Sequence, residues 1–216
     1  FDIFFAYSDD DGTSWSTPQR VNDDNTKGDQ TFPSMAIDSE GDVHIAFLDK
    51  RENPDPALFD IYYAKIVDGQ VSKNIRINPI HVPNAIGGRF PGDYLDMIVA
   101  YPEKAYVGYP CGGNENTPTN ACVTAIDPKL VPLPFIRGDS NSDGHVDLSD
   151  AIYILHWTFL GEQGPECWDR ADANDDGLVD ISDPVAILLY LFKGENPPAA
   201  PYPDAGFDTT ADELTC

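Results

Sequence analysis

Basic residues are scarce in this chain: 13 lysines and arginines stand against 37 aspartates and glutamates, a formal charge of −24. A surface of that sign repels polyanions, which excludes nucleic acid and anionic membrane as partners. No run of about 18 apolar residues occurs, so no segment reads as a membrane span. The four cysteines include no C-x-x-C pair, and zinc is not expected. Methionine is limited to Met35 and Met97. The chain opens on Phe1-Asp-Ile-Phe-Phe, already inside a strand pattern, with no initiator methionine and no signal-type segment. It is read as the C-terminal part of a longer secreted protein.

What is present is a duplication. DSNSDGHVDLSD, Asp139 to Asp150, returns further along the chain as DANDDGLVDISD, Asp172 to Asp183. Side-chain oxygens fall at positions 1, 3, 5, 9 and 12 of both stretches: Asp139, Asn141, Asp143, Asp147 and Asp150, then Asp172, Asn174, Asp176, Asp180 and Asp183. Position 7, His145 or Leu178, offers its backbone carbonyl. A calcium ion takes about six to eight oxygens at about 2.3–2.6 Å, and this spacing supplies them. Two Ca²⁺ ions are therefore expected. Gly144 and Gly177 at position 6 allow the sharp turn. Val146 and Val179 at position 8 are expected to join the loops through a short strand pairing. The first loop holds four carboxylates, and the second five with Asp175. They repel one another without a cation, so the cation-free protein is expected to loosen here. Neither methionine lies in this part, which excludes a calcium sensor that opens a Met-rich groove.

A helix is expected after each loop, over Ala151 to Leu160 and over Pro184 to Phe192. Ile152, Leu155 and Phe159 fall at helical spacing, and Pro184 suits a first helical turn. The first loop is preceded by the Pro-rich run DPKLVPLPFI, Asp127 to Ile136, which cannot be the entering helix of a standard EF-hand. Position 12 is Asp rather than Glu. Duplication, the Asp at position 12 and the missing first helix together make residues 137–216 resemble a dockerin type I repeat module. That resemblance implies a small all-α calcium-binding domain of two EF-hand-like loop–helix motifs. It also implies docking onto a cohesin-like or other cell-surface protein. Such modules commonly carry polar pairs at loop positions 10 and 11 and basic residues in the following helix. This chain has Leu148–Ser149 and Ile181–Ser182, then Leu155–His156 and Leu188–Leu189.

Four cysteines admit three pairings. The expected one joins Cys111 to Cys122, closing a loop of Gly, Asn, Thr and Pro, and Cys167 to Cys216, tying the tail to the segment between the aspartate loops. Disulfides place the chain in an oxidising, extracellular or cell-surface setting.

Residues 1–126 carry short alternating strands with turn residues between them. DIFFAY at Asp2 returns as DIYYAK at Asp60, RVN at Arg20 as RIN at Arg76, and Phe32-Pro33 as Phe90-Pro91, all offset by nearly the same interval. His44 to Phe47 and Tyr106 to Tyr109 read as further strands. Repeats of this length suggest a partial β-propeller of about two to two and a half blades. Ser8, Asp10, Gly12 and Trp15 fit S-x-D-x-G-x-x-W, a hairpin turn in which Asp10 accepts backbone N–H bonds, Gly12 takes a positive φ and Trp15 packs inward. This pattern resembles the Asp-box of sialidase-like propellers, where it is structural. If the resemblance extends to catalysis, the candidates for substrate-binding and acid/base groups are Arg51, Arg89, Asp49, Asp93 and Tyr94. No residue singles itself out, and the catalytic set stays unknown.

The expectation is thus a multidomain chain: an all-β propeller fragment over 1–126, a Pro-rich linker over 127–136 and the calcium module over 137–216. The leading function is a secreted multimodular protein of carbohydrate-degrading machinery, with glycans as further partners. The alternatives are a sialidase-like exo-glycosidase and a non-enzymatic structural or adhesive protein that calcium rigidifies.

Overall fold

The structure is a computed structural model, which describes residues 1–52, 58–79, 81–83, 95–100, 104–111, 120–210, 212, 214 and 216. The chain divides into two compact units, Phe1–Val131 and Pro132–Cys216, with the boundary inside the Pro-rich run.

The first unit is built from eleven described strands: β1 Phe4–Phe5, β2 Gln19–Arg20, β3 Gln30–Ile37, β4 Val43–Asp49, β5 Leu58–Val67, β6 Gln70–Val71, β7 Ile75–Arg76, β8 Val82–Pro83, β9 Asp96–Ala100, β10 Lys104–Cys111 and β11 Asn120–Ile126. They form a two-stranded sheet β1-β2, a three-stranded sheet β11-β10-β9 and a six-stranded sheet β3-β4-β5-β6, in which β7 and β8 also pair with β5. Central strands β4 and β5 are apolar on both faces, and the period of two splits their side chains between two cores. Ala46, Leu48, Phe59, Ile61 and Tyr63 face Met97, Val107 and Ile126 in one core. Ile45, Phe47, Tyr62, Ala64 and Ile66 face Ile3 and Val21 in the other. Each large apolar side chain so buried contributes about 1.5–3 kcal/mol. Edge strand β3 alternates in exposure and tolerates Pro33, because its register shifts between Thr31 and Ser34.

The repeat in this unit has a structural counterpart. Phe4 pairs with Arg20 and Tyr62 with Arg76. Asn22 Oδ1 accepts from Ile3 N at 2.9 Å, and Asn78 Oδ1 accepts from Ile61 N at 2.7 Å. Asn22 Nδ2 and Asn78 Nδ2 donate to Asp2 and Asp60, each at 2.8 Å. The D-I…R-x-N signature is therefore a side-chain clasp locking a short strand beside its neighbour.

The second unit contains α1 Leu148–Leu160, α2 Trp168–Ala171 and α3 Ser182–Lys193. Helices α1 and α3 pack on each other over Ala151, Ile154, Ala171, Ala173 and Ile187. Gly161 and Gly194 end the long helices in the left-handed region, at φ 70° and 68°.

Two corrections to the expected fold class follow. The described strands do not form two to two and a half four-stranded propeller blades; they segregate into sheets of two, three and six, and none of these sheets closes into a barrel. The doubly apolar β4 and β5 draw β3, β6, β7 and β8 into one sheet instead of dividing them into equal units. Nor do residues 137–216 form the expected all-α domain of two EF-hand-like loop–helix motifs. Their helices have 13, 4 and 12 residues, and among the described residues no full helix enters either loop. Prolines at 132, 134, 197, 198, 201 and 203 keep much of the remaining backbone irregular.

Candidate metal centre

Each aspartate loop folds around its own side chains, and the two do so with the same bonds. Asp139 Oδ1 and Oδ2 accept from Asp143 N at 3.0 Å and Gly144 N at 3.2 Å; Asp172 does the same with Asp176 N at 3.1 Å and Gly177 N at 2.8 Å. Asn141 Oδ1 accepts from Asp143 N, and Asn174 Oδ1 from Asp176 N, both at 3.0 Å. Asp143 and Asp176 accept from the N–H groups of His145 and Leu178, at 3.0 and 3.1 Å. Gly144 and Gly177 take φ of 86° and 82°, a conformation that an L side chain strains to adopt.

Position 12 closes both loops. Asp150 Oδ2 accepts from Asp147 N and Asp183 Oδ2 from Asp180 N, each at 2.8 Å. Their Oδ1 atoms accept from Asn141 N at 3.2 Å and Asn174 N at 3.4 Å. The same carboxylates start the helices: Asp147 and Asp150 form a capping box on α1. Asp180 accepts from Ser182 N at 2.7 Å at the corresponding place on α3.

Asp139, Asp150, Asp172 and Asp183 are buried. Burial pushes the Asp150 carboxyl up to about 6 and that of Asp183 up to about 7. It raises Asp139 as well. The hydrogen bonds from Ser149 and Ser182 hold the exposed Asp147 and Asp180 below the usual carboxylate range. Buried carboxylates are stable when paired with cations. In the first loop the guanidinium of Arg170 stands 3.9 Å from Asp139. Two buried carboxylates per loop and an all-oxygen donor set at positions 1, 3, 5, 9 and 12, with a carbonyl at 7, suit a hard divalent cation. Among the described residues, carboxylates also converge in Asp169–Asp208–Asp212 and in Asp172–Asp175–Asp212.

Val146 and Val179 pack against the unit's core, and the described residues hold no β-bridge between them. Both helices begin before the residues expected, at Leu148 and Ser182; the Asp147–Asp150 capping box starts α1, while α3 follows Ile181 without a side-chain cap. The apolar residues of α1 also divide differently. Ala151 and Ile154 are buried, whereas Ile152 and Phe159 are exposed.

Sequence reasoning missed Arg137. It is buried, and every nitrogen of its guanidinium is engaged. Nε donates to Ala200 O at 2.8 Å. Nη1 donates to the carbonyls of Asp169 and Asp172 at 3.0 and 2.9 Å. Nη2 meets Asp208 Oδ1 at 2.8 Å and Asp175 Oδ1 at 2.9 Å. The signal available was the R-x-D that opens both repeats, at Arg137–Asp139 and Arg170–Asp172.

The disulfides are Cys111–Cys122 and Cys167–Cys216. Together with the absence, among the described residues, of a helix long and apolar enough to cross a membrane, they are compatible with an extracellular protein.

In the first unit, the turn that holds Ser8, Asp10, Gly12 and Trp15 joins β1 to β2. Asp10 accepts from Ser14 N at 2.8 Å and Ser14 Oγ at 2.7 Å, and these bonds hold its carboxyl down at about 2. Ser8 Oγ accepts from Gly12 N at 2.8 Å, and Gly12 has φ 82°. Trp15 does not pack inward as expected: it is 65% exposed. Of the catalytic candidates, Arg89, Asp93 and Tyr94 lie outside the described residues. Arg51 is taken up internally, by buried Asp49 at 2.8 Å, by Asp23 and by Asn74 at 2.8 Å, so it is not poised for a substrate carboxylate.

Comparison of the chain with protein-family models, with curated proteins and with solved structures gives no match.

Proposed function

We propose that Pro132–Cys216 is a dockerin-like module that binds a Ca²⁺ ion in each aspartate loop and uses the loaded form to dock a secreted protein onto a cohesin-like or other cell-surface partner. The reading rests on one observation: two loops repeat the same hydrogen-bond network residue for residue around buried carboxylates at positions 1 and 12. Asp139, Asn141, Asp143, Asp147 and Asp150 hold the first ion with the His145 carbonyl. Asp172, Asn174, Asp176, Asp180 and Asp183 hold the second with that of Leu178.

Docking is supported by what the helices leave uncovered. Leu148 and Ile181 are 46% and 48% exposed, Ile152 and Val185 42% and 44%, and Phe159 and Phe192 66% and 67%. The members of each pair occupy the same position in the two repeats. Duplicated apolar stripes of matched exposure on one small unit are the kind of surface that a protein partner covers. The setting that fits is carbohydrate-degrading machinery outside the cell, with Phe1–Val131 as the β-structured cargo.

The test is binding of the full chain to a panel of immobilised cohesin domains. Binding in millimolar Ca²⁺ that disappears with chelator, and falls when Phe159→Ala and Phe192→Ala are combined, supports the reading. No binding to any cohesin by calcium-loaded protein would remove the docking half of it.

A further inference from the structure

We propose that Asp169, Asp208 and Asp212 form a third divalent-cation site, for Ca²⁺, that fastens the C-terminal tail to α2. One oxygen of each carboxylate lies within 4.8 Å of the other two. Ligands on opposite sides of a calcium ion, at about 2.3–2.6 Å each, stand about 4.6–5.2 Å apart, so one ion fits among the three.

Asp169 supplies an independent sign. It is 5% exposed, and its Oδ1 is buried without a hydrogen-bond partner. The carboxylate converges with those of Asp208 and Asp212. A buried carboxylate oxygen normally has a partner, and a cation is the partner this arrangement calls for.

Arg137 does not fill the role. Its bond to Asp169 goes to the backbone carbonyl, and its remaining donors go to Ala200, Asp172, Asp175 and Asp208. The second acidic group, Asp172–Asp175–Asp212, shares Asp212 with the first. Five carboxylates therefore crowd one guanidinium. The tail is also seated closely: a Cβ on Gly177 would lie 3.3 Å from Asp212 Cβ. Backbone N–H groups of Thr210 and Leu214 fix the Asp208 and Asp212 carboxylates, at 3.0 and 2.7 Å.

Asp169 and Asp208 lie outside the loops, whereas Asp212 also converges with Asp172 and Asp175 of the second, so Asp169→Asn and the loop variant are what separate the site from that loop. Calcium chloride is titrated into the chelator-stripped full chain, with bound ions counted by native mass spectrometry and affinities taken from calorimetry. Asp212→Asn, an exposed change that spares the fold, should bind one ion fewer than wild type, or bind it at least tenfold more weakly. Asp169→Asn should do the same. In both variants the calcium-dependent protection of the tail from hydrogen exchange should vanish. An Asp150→Asn/Asp183→Asn chain, its loops disabled, should still hold one ion. Should the loops bind nothing, wild type would hold a single ion that Asp212→Asn removes, and the third site would stand without them. Equal ion counts and affinities in wild type, Asp212→Asn and Asp169→Asn would overturn it.

Discussion

The loops Asp139–Asp150 and Asp172–Asp183 share one internal network and differ in what surrounds it. At position 2 the first loop has Ser140, whose Oγ donates to Asp150 O at 2.9 Å, while the second has Ala173, which joins the core. At position 4 the first has exposed Ser142 and the second has Asp175, ion-paired with Arg137 and accepting from Thr210 Oγ1 at 2.8 Å. Both residues take a positive φ, 65° and 61°. A local pattern can build the same cage twice. Whether that cage stands alone or is clasped by distant chain depends on single residues outside the ligand set. The second loop is the clasped one, and the contrast can be broken experimentally.

The largest effect is expected from Arg137→Met, which leaves Asp175 and Asp208 without their guanidinium and should cost about 3–5 kcal/mol. Denaturant unfolding of the calcium-free chain measures it, and hydrogen exchange should show the second loop opening more than the first. Removing the Cys167–Cys216 bridge as a double alanine variant comes next, at about 2–4 kcal/mol. Its 49-residue separation exceeds the 11 of Cys111–Cys122, so the loss should be greater than for that bridge. Equal losses, read from thermal unfolding, would show that the tail adds nothing to the second loop. Smaller again are Asp147→Ala, expected to cost about 1 kcal/mol as a lost helix cap, and Asp180→Ala, which removes the matching bond from Ser182 N ahead of α3. Matched losses would confirm that the two helix starts are equivalent, and a mismatch would locate a difference inside the cage itself.

The subtlest comparison is with pH. Asp150 and Asp183 hold protons in the folded, calcium-free state, at about 6 and about 7, that the unfolded chain releases near 3.8. The folded state therefore binds more protons at these two groups between those values, so their contribution to calcium-free stability is fullest below about 4 and is lost as pH rises through 6 to 7. Thermal melts in chelator across that window should show a falling midpoint. With calcium present the trend should reverse, because protons compete with the ion for the same oxygens.

How much of this was legible in the sequence depends on the reach of each interaction. The cage was readable because its bonds span two to nine residues, and the Asp/Asn/Gly spacing encodes them directly. The Asp10 turn was readable for the same reason. Arg137 was not, since its partners lie 32 to 71 residues away and the R-x-D that opens both repeats does not say what the guanidinium meets. Asp169, Asp208 and Asp212 likewise become neighbours only when the tail folds back. In the first unit, the apolar runs of β4 and β5 were visible as strands. The size of the sheet they organise was not, because pairing partners are chosen by burial on both faces rather than by the repeat length. Trp15 was expected to pack its turn down and Phe159 was noted for its helical spacing, yet the hairpin and the helix leave both exposed.

The most direct test of the account is a calorimetric titration of Ca²⁺ into the chelator-stripped full chain and into its Asp150→Asn/Asp183→Asn variant, with circular dichroism recorded before and after. The account predicts that the variant binds two ions fewer and lacks the gain of helical signal seen in wild type. The same ion count in both chains would contradict it, and the aspartate loops would then be surface turns without a metal.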